Sequence, residues 1–305
     1  MATNNFKAFA IGGSANVTSQ SDYEALAALL SGFQSGKASS AQINKALRQS
    51  TVMASVLAQF ISDSAGVDVL DNGNTATILA NLKAGMTVLT PGRLLNVQAF
   101  TANGTITKTA GAKKWRIRVV GGGGGSSAAP ATSTGQVSVS NGGGAGSYAE
   151  GLYDVSGITS ATITIGSGGA GGSSSSPYGA DGSATSVGSF ITAPGGKAGL
   201  PAGPANPPFQ PVANNNGSAP TGWNIVGTSG PGAEAAVAVS TSYAAGSRGA
   251  NGQLGVGGSI PAINTNATTG GGFGSGASGC ANGPSQAINA GAAGRPGIAI
   301  IEEYA

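Results

Sequence analysis

An α+β fold, with helices first and a glycine-rich β region last, is predicted by three features of the sequence. Capped segments with apolar residues at helical spacing occur before residue 90. Period-two alternation takes over between residues 94 and 120, and 45 of the 55 glycines fall beyond it. These shifts mark 1–93 as a helical region, 94–120 as a β-hairpin and strand junction, and 121–305 as a glycine-rich domain of β-strands and polyglycine II helices.

The helical region opens with Ser21-Asp22-Tyr23-Glu24, a capping box in which Ser21 accepts from a first-turn amide and Glu24 reaches back to the cap. Leu26, Leu29 and Leu30 continue at helical spacing until Gly32. Ser39-Ser40-Ala41-Gln42 repeats the box and opens a longer helix through about Asp63, ended by Gly66. In that helix Ile43, Leu47, Ser50, Ala54, Leu57 and Ile61 recur at spacings of four and three, a heptad seam. Val52, Met53, Val56 and Phe60 form a second apolar stripe. Two stripes are more than one helix needs, so Ile43, Leu47, Ala54, Leu57 and Ile61 are candidate oligomerisation residues. The alternative is a single-chain helical subdomain. Asp71-Asn72-Gly73 reads as a turn, and a short helix over 77–82 ends before Pro91-Gly92.

In the junction, Leu95, Val97 and Ala99 alternate with Asn96 and Gln98, and Asn103-Gly104 is a favoured hairpin turn before Thr105-Ile106-Thr107. Trp115, Ile117 and Val119 share one face of the next strand, with Lys114, Arg116 and Arg118 on the other. The basic row is read as solvated surface, with a phosphate ligand as the alternative.

Glycine tracts recur at 121–125, 141–146, 166–172, 194–199, 227–232, 246–252, 255–258, 270–279 and 291–297, too irregularly for collagen. Ordering them costs on the order of 1–2 kcal/mol per residue, so an ordered domain needs dense backbone hydrogen bonding, as between close-packed polyglycine II helices. Strand-like segments at 148–155, 160–165 and 297–304 favour order over a disordered linker. The inserts 173–180, 200–226 and 233–245 carry the isolated rings Tyr178, Phe209, Trp223 and Tyr243 among small polar residues. Rigid aromatics among Ser, Asn and Gly are the composition of a recognition surface, so these four are the candidate contact residues.

Composition excludes much chemistry. The chain has no His and one Cys, Cys280, so imidazole catalysis, thiolate zinc sites and internal disulfides are out, and Cys280 reads as an inert loop residue. Residues 166–171 fit a dinucleotide-binding pattern, but Ser173 to Ser176 and Pro177 follow where a helix is required. Glu302 and Glu303 are adjacent in a strand and point to opposite faces. No active site, metal or cofactor is expected, and no small-molecule substrate. Eleven of fourteen Lys and Arg precede residue 119, and the 187 residues from 119 onward carry three basic against six acidic groups, a poor footprint for nucleic acid. The start lacks a signal-peptide pattern and no apolar run reaches membrane length, so synthesis in the cytosol without a membrane anchor is expected.

The phrases MATNNFKAFA, SQSDYEALAALLSG, SSAQINKALRQSTVMASVLAQFI, DNGNTATILANL, RIRVVGGGGG, SYAEGLYDV and IAIIEEYA resemble the tail fibre proteins of enterobacterial tailed phages and prophages. The resemblance covers 1–120 closely and the remainder more loosely. It implies an elongated fibre on the virion tail, usually a homotrimer, whose N-terminal region joins tail or baseplate proteins. The distal end would meet a bacterial outer-membrane protein or lipopolysaccharide. The glycine-rich part is also similar in composition to polyglycine adhesins of T-even-like phages, with shorter pure-glycine runs here. A structural connector and, further off, a polysaccharide depolymerase spike are the competing functions.

Overall fold

The structure, a computed structural model, describes residues 2–34, 38–213 and 216–305. It divides into two compact units, Met1–Gly92 and Arg93–Ala305.

The first unit carries α1 (Gln20–Glu24), α2 (Ala28–Ser31), α3 (Ser40–Ala65) and α4 (Thr75–Val88). Ser19, rather than Ser21, caps α1: its hydroxyl accepts from the Asp22 amide at 3.2 Å and donates to the Asp22 carboxylate at 2.6 Å. Glu24 is taken by Gln20 at 2.7 Å and does not close the expected box. The leucines that follow do not extend α1: Leu26 is only partly buried, Leu29 and Leu30 are exposed, Leu30 by 98%, and α2 is one turn long. Ser39 stands at the cap of α3 without a side-chain cap bond, and Gly66 ends the helix in the left-handed region at φ 68°. α4 is longer than expected because Asn74 caps it, accepting from Thr77, and good helix formers continue to Val88. The buried core of this unit is small: Ala58, Ile61 and Val69, with Phe6, Ile78 and Leu82 against them. Among the described residues no helix is long and apolar enough to cross a membrane.

The second unit is a domain rich in antiparallel strands. Its first strands are β1 (Leu94–Phe100), β2 (Gly104–Thr107), β3 (Lys114–Val120), β4 (Val137–Ser140), β5 (Tyr148–Asp154) and β6 (Ser160–Thr164). There follow β7 (Thr185–Val187), β8 (Ile191–Ala193), β9 (Pro201–Ala205), β10 (Val226–Thr228), β11 (Val237–Ser240) and β12 (Tyr243–Ala245). The last are β13 (Leu254–Val256), β14 (Gly271–Phe273), β15 (Ala281–Asn282) and β16 (Ile298–Tyr304). One sheet has the order β1-β16-β3-β5-β10 and a second the order β2-β6-β7-β8, every pairing antiparallel. Trp115, Ile117, Val119 and Ile301 from the first sheet meet Ile106, Ile163, Val187 and Ile191 from the second in one core.

The expected hairpin at Asn103-Gly104 does not form. β1 pairs with the C-terminal strand and β2 with β6, so the chain crosses between sheets there. The Asn103 carboxamide oxygen accepts instead from the Ile165 amide at 2.7 Å. The stretch 94–120 therefore supplies β1 to β3 of the sandwich itself.

Beyond the sandwich, several strands run out into glycine tracts. From residue 121 onward, amide donors turn through three directions with a period of three. Gly122, Gly125 and Ala128 donate to Ser183, Ala180 and Pro177; Gly123, Ser126 and Ala129 donate to Arg295, Ala292 and Asn289; Gly121 and Gly124 donate to Ser147 and Gly144. Their carbonyls accept with the same period: Gly123 and Ser126 from Gly169 and Gly172, Gly122 and Gly125 from Gly196 and Gly199. Backbones approach so closely that a Cβ built on Gly143 would lie 1.9 Å from the Gly124 oxygen, a distance no side chain tolerates. At the other end of the tracts a smaller core forms from Val137, Val139, Ala236, Ala238, Ala244 and Ala281, with Ala202 and Phe209 against it.

Candidate functional site

The tracts give the second unit two ends. β16 leaves the tract at 291–297 and runs toward Ala305, whose amide donates to the Arg93 carbonyl at 2.9 Å, where the chain enters β1. The near end, with the larger core, therefore belongs to the entry point. The tract at 141–146 joins β4 to β5, and the tract at 194–199 joins β8 to β9. The smaller core and its loops are thus at the far end.

Three of the four candidate rings lie toward the far end. Tyr178 follows the turn in which the Ser173 amide donates to the Ser176 carbonyl, and it is 61% exposed. Tyr243 opens β12 in the β11–β12 hairpin and is 62% exposed. Phe209 is different: its backbone exchanges two 2.9 Å bonds with Ala238 and its ring packs on the smaller core, half-buried. Trp223 is at the near end, half-exposed beside Gly227, where β10 pairs with β5. The structure does not bring the four together. Exposed far-end aliphatics complete the surface: Val212, Val239, Ile260 and Ile263. Their signal in the sequence was an apolar residue inside a polar or proline-containing insert, weaker than an isolated ring.

A groove of about 240 Å³ runs between residues 231–234 and 248–251, with Glu234 and Arg248 in its walls. Of the helical candidates, Ile61 is buried in its unit's own core, whereas Ile43, Leu47, Ala54 and Leu57 are exposed.

The basic row of β3 lies on the solvent side of the sheet, with Lys114 exposed and Arg116 and Arg118 partly so, and the two arginines are held there in ion pairs. Arg116 pairs with Glu150 at 2.5 Å and Arg118 with Glu302 at 2.6 Å, while Tyr148 and Tyr304 donate to the same two carboxylates at 2.7 Å each. Register brings the four groups together: Arg118 lies opposite Glu150 on β5 and Arg116 opposite Glu302 on β16, and each guanidinium reaches diagonally to the other's carboxylate for its closest pair. Burial alone would raise the Glu150 pKa, but hydrogen bonds from Tyr148 and Arg116 outweigh it and hold the carboxyl below its ordinary value. Burial, aided by that carboxylate, pushes the Tyr148 phenol up to about 12. On the opposite face Glu303 is fully buried. It accepts from Trp115 Nε1 at 2.8 Å, the Thr109 amide at 3.0 Å, the Thr109 hydroxyl at 2.5 Å and Asn96 at 3.0 Å. These bonds outweigh desolvation and lower its pKa. The two neighbouring carboxylates are thus committed separately, each as a brace between strands.

Cys280 is buried beside Ser140, and burial raises its thiol pKa. Comparison with known families matches residues 99–304 to a glycine-rich domain. No curated protein matches the chain.

Proposed function

Since the chain belongs to the glycine-rich domain family, we propose that this domain is the non-enzymatic receptor-binding end of a bacteriophage tail fibre. The observation that carries the reading is the placement of exposed Tyr178, Tyr243, Val212 and Val239 toward the end opposite the Arg93 entry. A rigid scaffold presenting aromatic and aliphatic loops away from its attachment point suits contact with a bacterial outer-membrane protein or lipopolysaccharide. The three-residue hydrogen-bond period supports reading the tracts as packed polyglycine II helices, which have three residues per turn. The exposed apolar residues Leu47, Val56 and Leu57 on α3 support assembly of the helical region, as a homotrimer joined to tail or baseplate proteins.

The test is binding of the purified full chain to enterobacterial cells, with outer-membrane-protein and lipopolysaccharide mutants in the panel. Binding lost in one mutant is expected and identifies the ligand class. A folded sample that binds no strain would leave the structural connector instead, and polysaccharide cleavage during incubation would return the depolymerase.

A further inference from the structure

Among the described residues of the first unit Lys45 is the most deeply covered cation, with 5% of its surface exposed, and it has no ion-pair partner among them. Its ammonium lies 5.7 Å from the centre of the Tyr23 ring. Arg48 stands one helical turn further along α3, so two cations share a face without an acid between them, an arrangement that disfavours the helix. The acids of α1 are engaged elsewhere: Asp22 accepts from Ser19 and Glu24 from Gln20. Lys45 and Arg48 line an open cavity of about 540 Å³ with Gln20 and Gln49, walled on its apolar side by Ile11, Val52 and Met53.

We propose that this cavity is a docking site for an acidic side chain of a partner polypeptide, flanked in that partner by aliphatic residues. Two cations, the Gln49 carboxamide and the Gln20 N–H that Glu24 does not take supply donors enough for both oxygens of one carboxylate. Ile11, Val52 and Met53 accept the neighbouring aliphatic groups. The openness of the site to solvent on one side suits a segment of chain rather than an enclosed small ligand. The Lys45 stem is covered by its own chain while the charged end opens on this site, so a partner carboxylate can reach it. The inference stands on the cavity alone and does not require the receptor reading.

The probes are the peptides acetyl-Leu-Glu-Leu-amide and acetyl-Leu-Gln-Leu-amide, titrated into the full chain and followed by NMR of labelled lysine and arginine side chains. Saturable shifts of Lys45 and Arg48 with the Glu peptide are expected, with at least tenfold weaker binding of the Gln peptide. Lys45→Met and Arg48→Gln should each weaken the Glu peptide about tenfold; Lys83→Gln, remote from the cavity lining, should not. Equal binding of the two peptides, or binding of neither, overturns the proposal. Shifts produced only by phosphatidylglycerol vesicles also overturn it, in favour of a membrane surface. A chain that binds cells but neither peptide would keep the receptor reading and lose this one.

Discussion

The two units solve the problem of cohesion in opposite ways. The helical unit relies on side chains and has few to bury: Ala58, Ile61 and Val69 form its buried core, while Leu47, Met53, Val56, Leu79 and Met86 face solvent. The glycine-rich unit has an apolar sandwich at one end, but along the tracts its interior is backbone, bonded amide to carbonyl in three directions. Removing side chains lets main chains approach to a distance where each residue can donate and accept sideways, and this offsets the entropy lost in ordering glycine. A unit held by backbone has no need of a large apolar core; one held by side chains leaves apolar stripes exposed when it has too little chain to cover them.

The largest expected effect tests the backbone half of that contrast. Gly143→Ala places a Cβ against the Gly124 oxygen, where the nearest atoms are all main chain of Gly124 and Gly125 and no flexible group can yield. It should cost about 4 kcal/mol or more and leave the domain protease-sensitive. Gly12→Ala, with nothing within 4 Å, should change stability by less than about 0.5 kcal/mol. Thermal unfolding and limited proteolysis of both variants make the comparison, and an unaltered Gly143→Ala melt would mean the tracts are not close-packed.

A smaller effect concerns the side-chain braces of the sandwich. Each Glu303 oxygen accepts two of the bonds from Trp115, Thr109 and Asn96, so Glu303→Gln, which turns one oxygen into a donor, removes the acceptor of two of them and should cost about 1–3 kcal/mol. The folded-state pKa of Glu303 is lowered, as is that of Glu150, so their stabilisation is full above the ordinary glutamate value and is lost as pH falls through the folded value. Urea midpoints should decline from about pH 5 downward, and less steeply in Glu303→Gln. A variant with the wild-type acid limb would remove Glu303 as the titrating brace.

What the sequence disclosed follows the range of the interactions. β3, β5, β6 and β16 were legible because alternation and β-branched residues announce a strand locally, and Gly66 announced the end of α3 for the same reason. The pairing of β1 with β16 was not, because Asn103-Gly104 offers a local hairpin that a partner some 200 residues away displaces. Nor was the Arg116–Glu150 pair, which exists only through the register of β3 on β5. Of the candidate contact residues, exposure to solvent at Tyr178 and Tyr243 is compatible with a role that Phe209, packed on the smaller core, shares less. An isolated ring in a polar loop reads the same whether it faces solvent or the scaffold, so burial had to separate them.

The smallest effect on stability, and the sharpest test of the contrast, comes from exposed residues of the two units changed separately. Val56→Ser with Phe60→Ser alters the α3 face, and Tyr178→Ala with Tyr243→Ala alters the far end. Neither pair should shift the unfolding of a monomer by more than about 0.5 kcal/mol, since all four side chains are at least 40% exposed. Their other consequences should diverge. The α3 pair should lower the oligomeric mass in sedimentation equilibrium while each far end stays intact. Its cell binding should then weaken by the loss of multivalency, about a hundredfold, yet remain measurable at high concentration. The tyrosine pair should keep its mass and lose binding at every concentration. If the α3 pair also lost binding outright, contact would require the assembled chains, and a single glycine-rich unit would not be a complete binding surface.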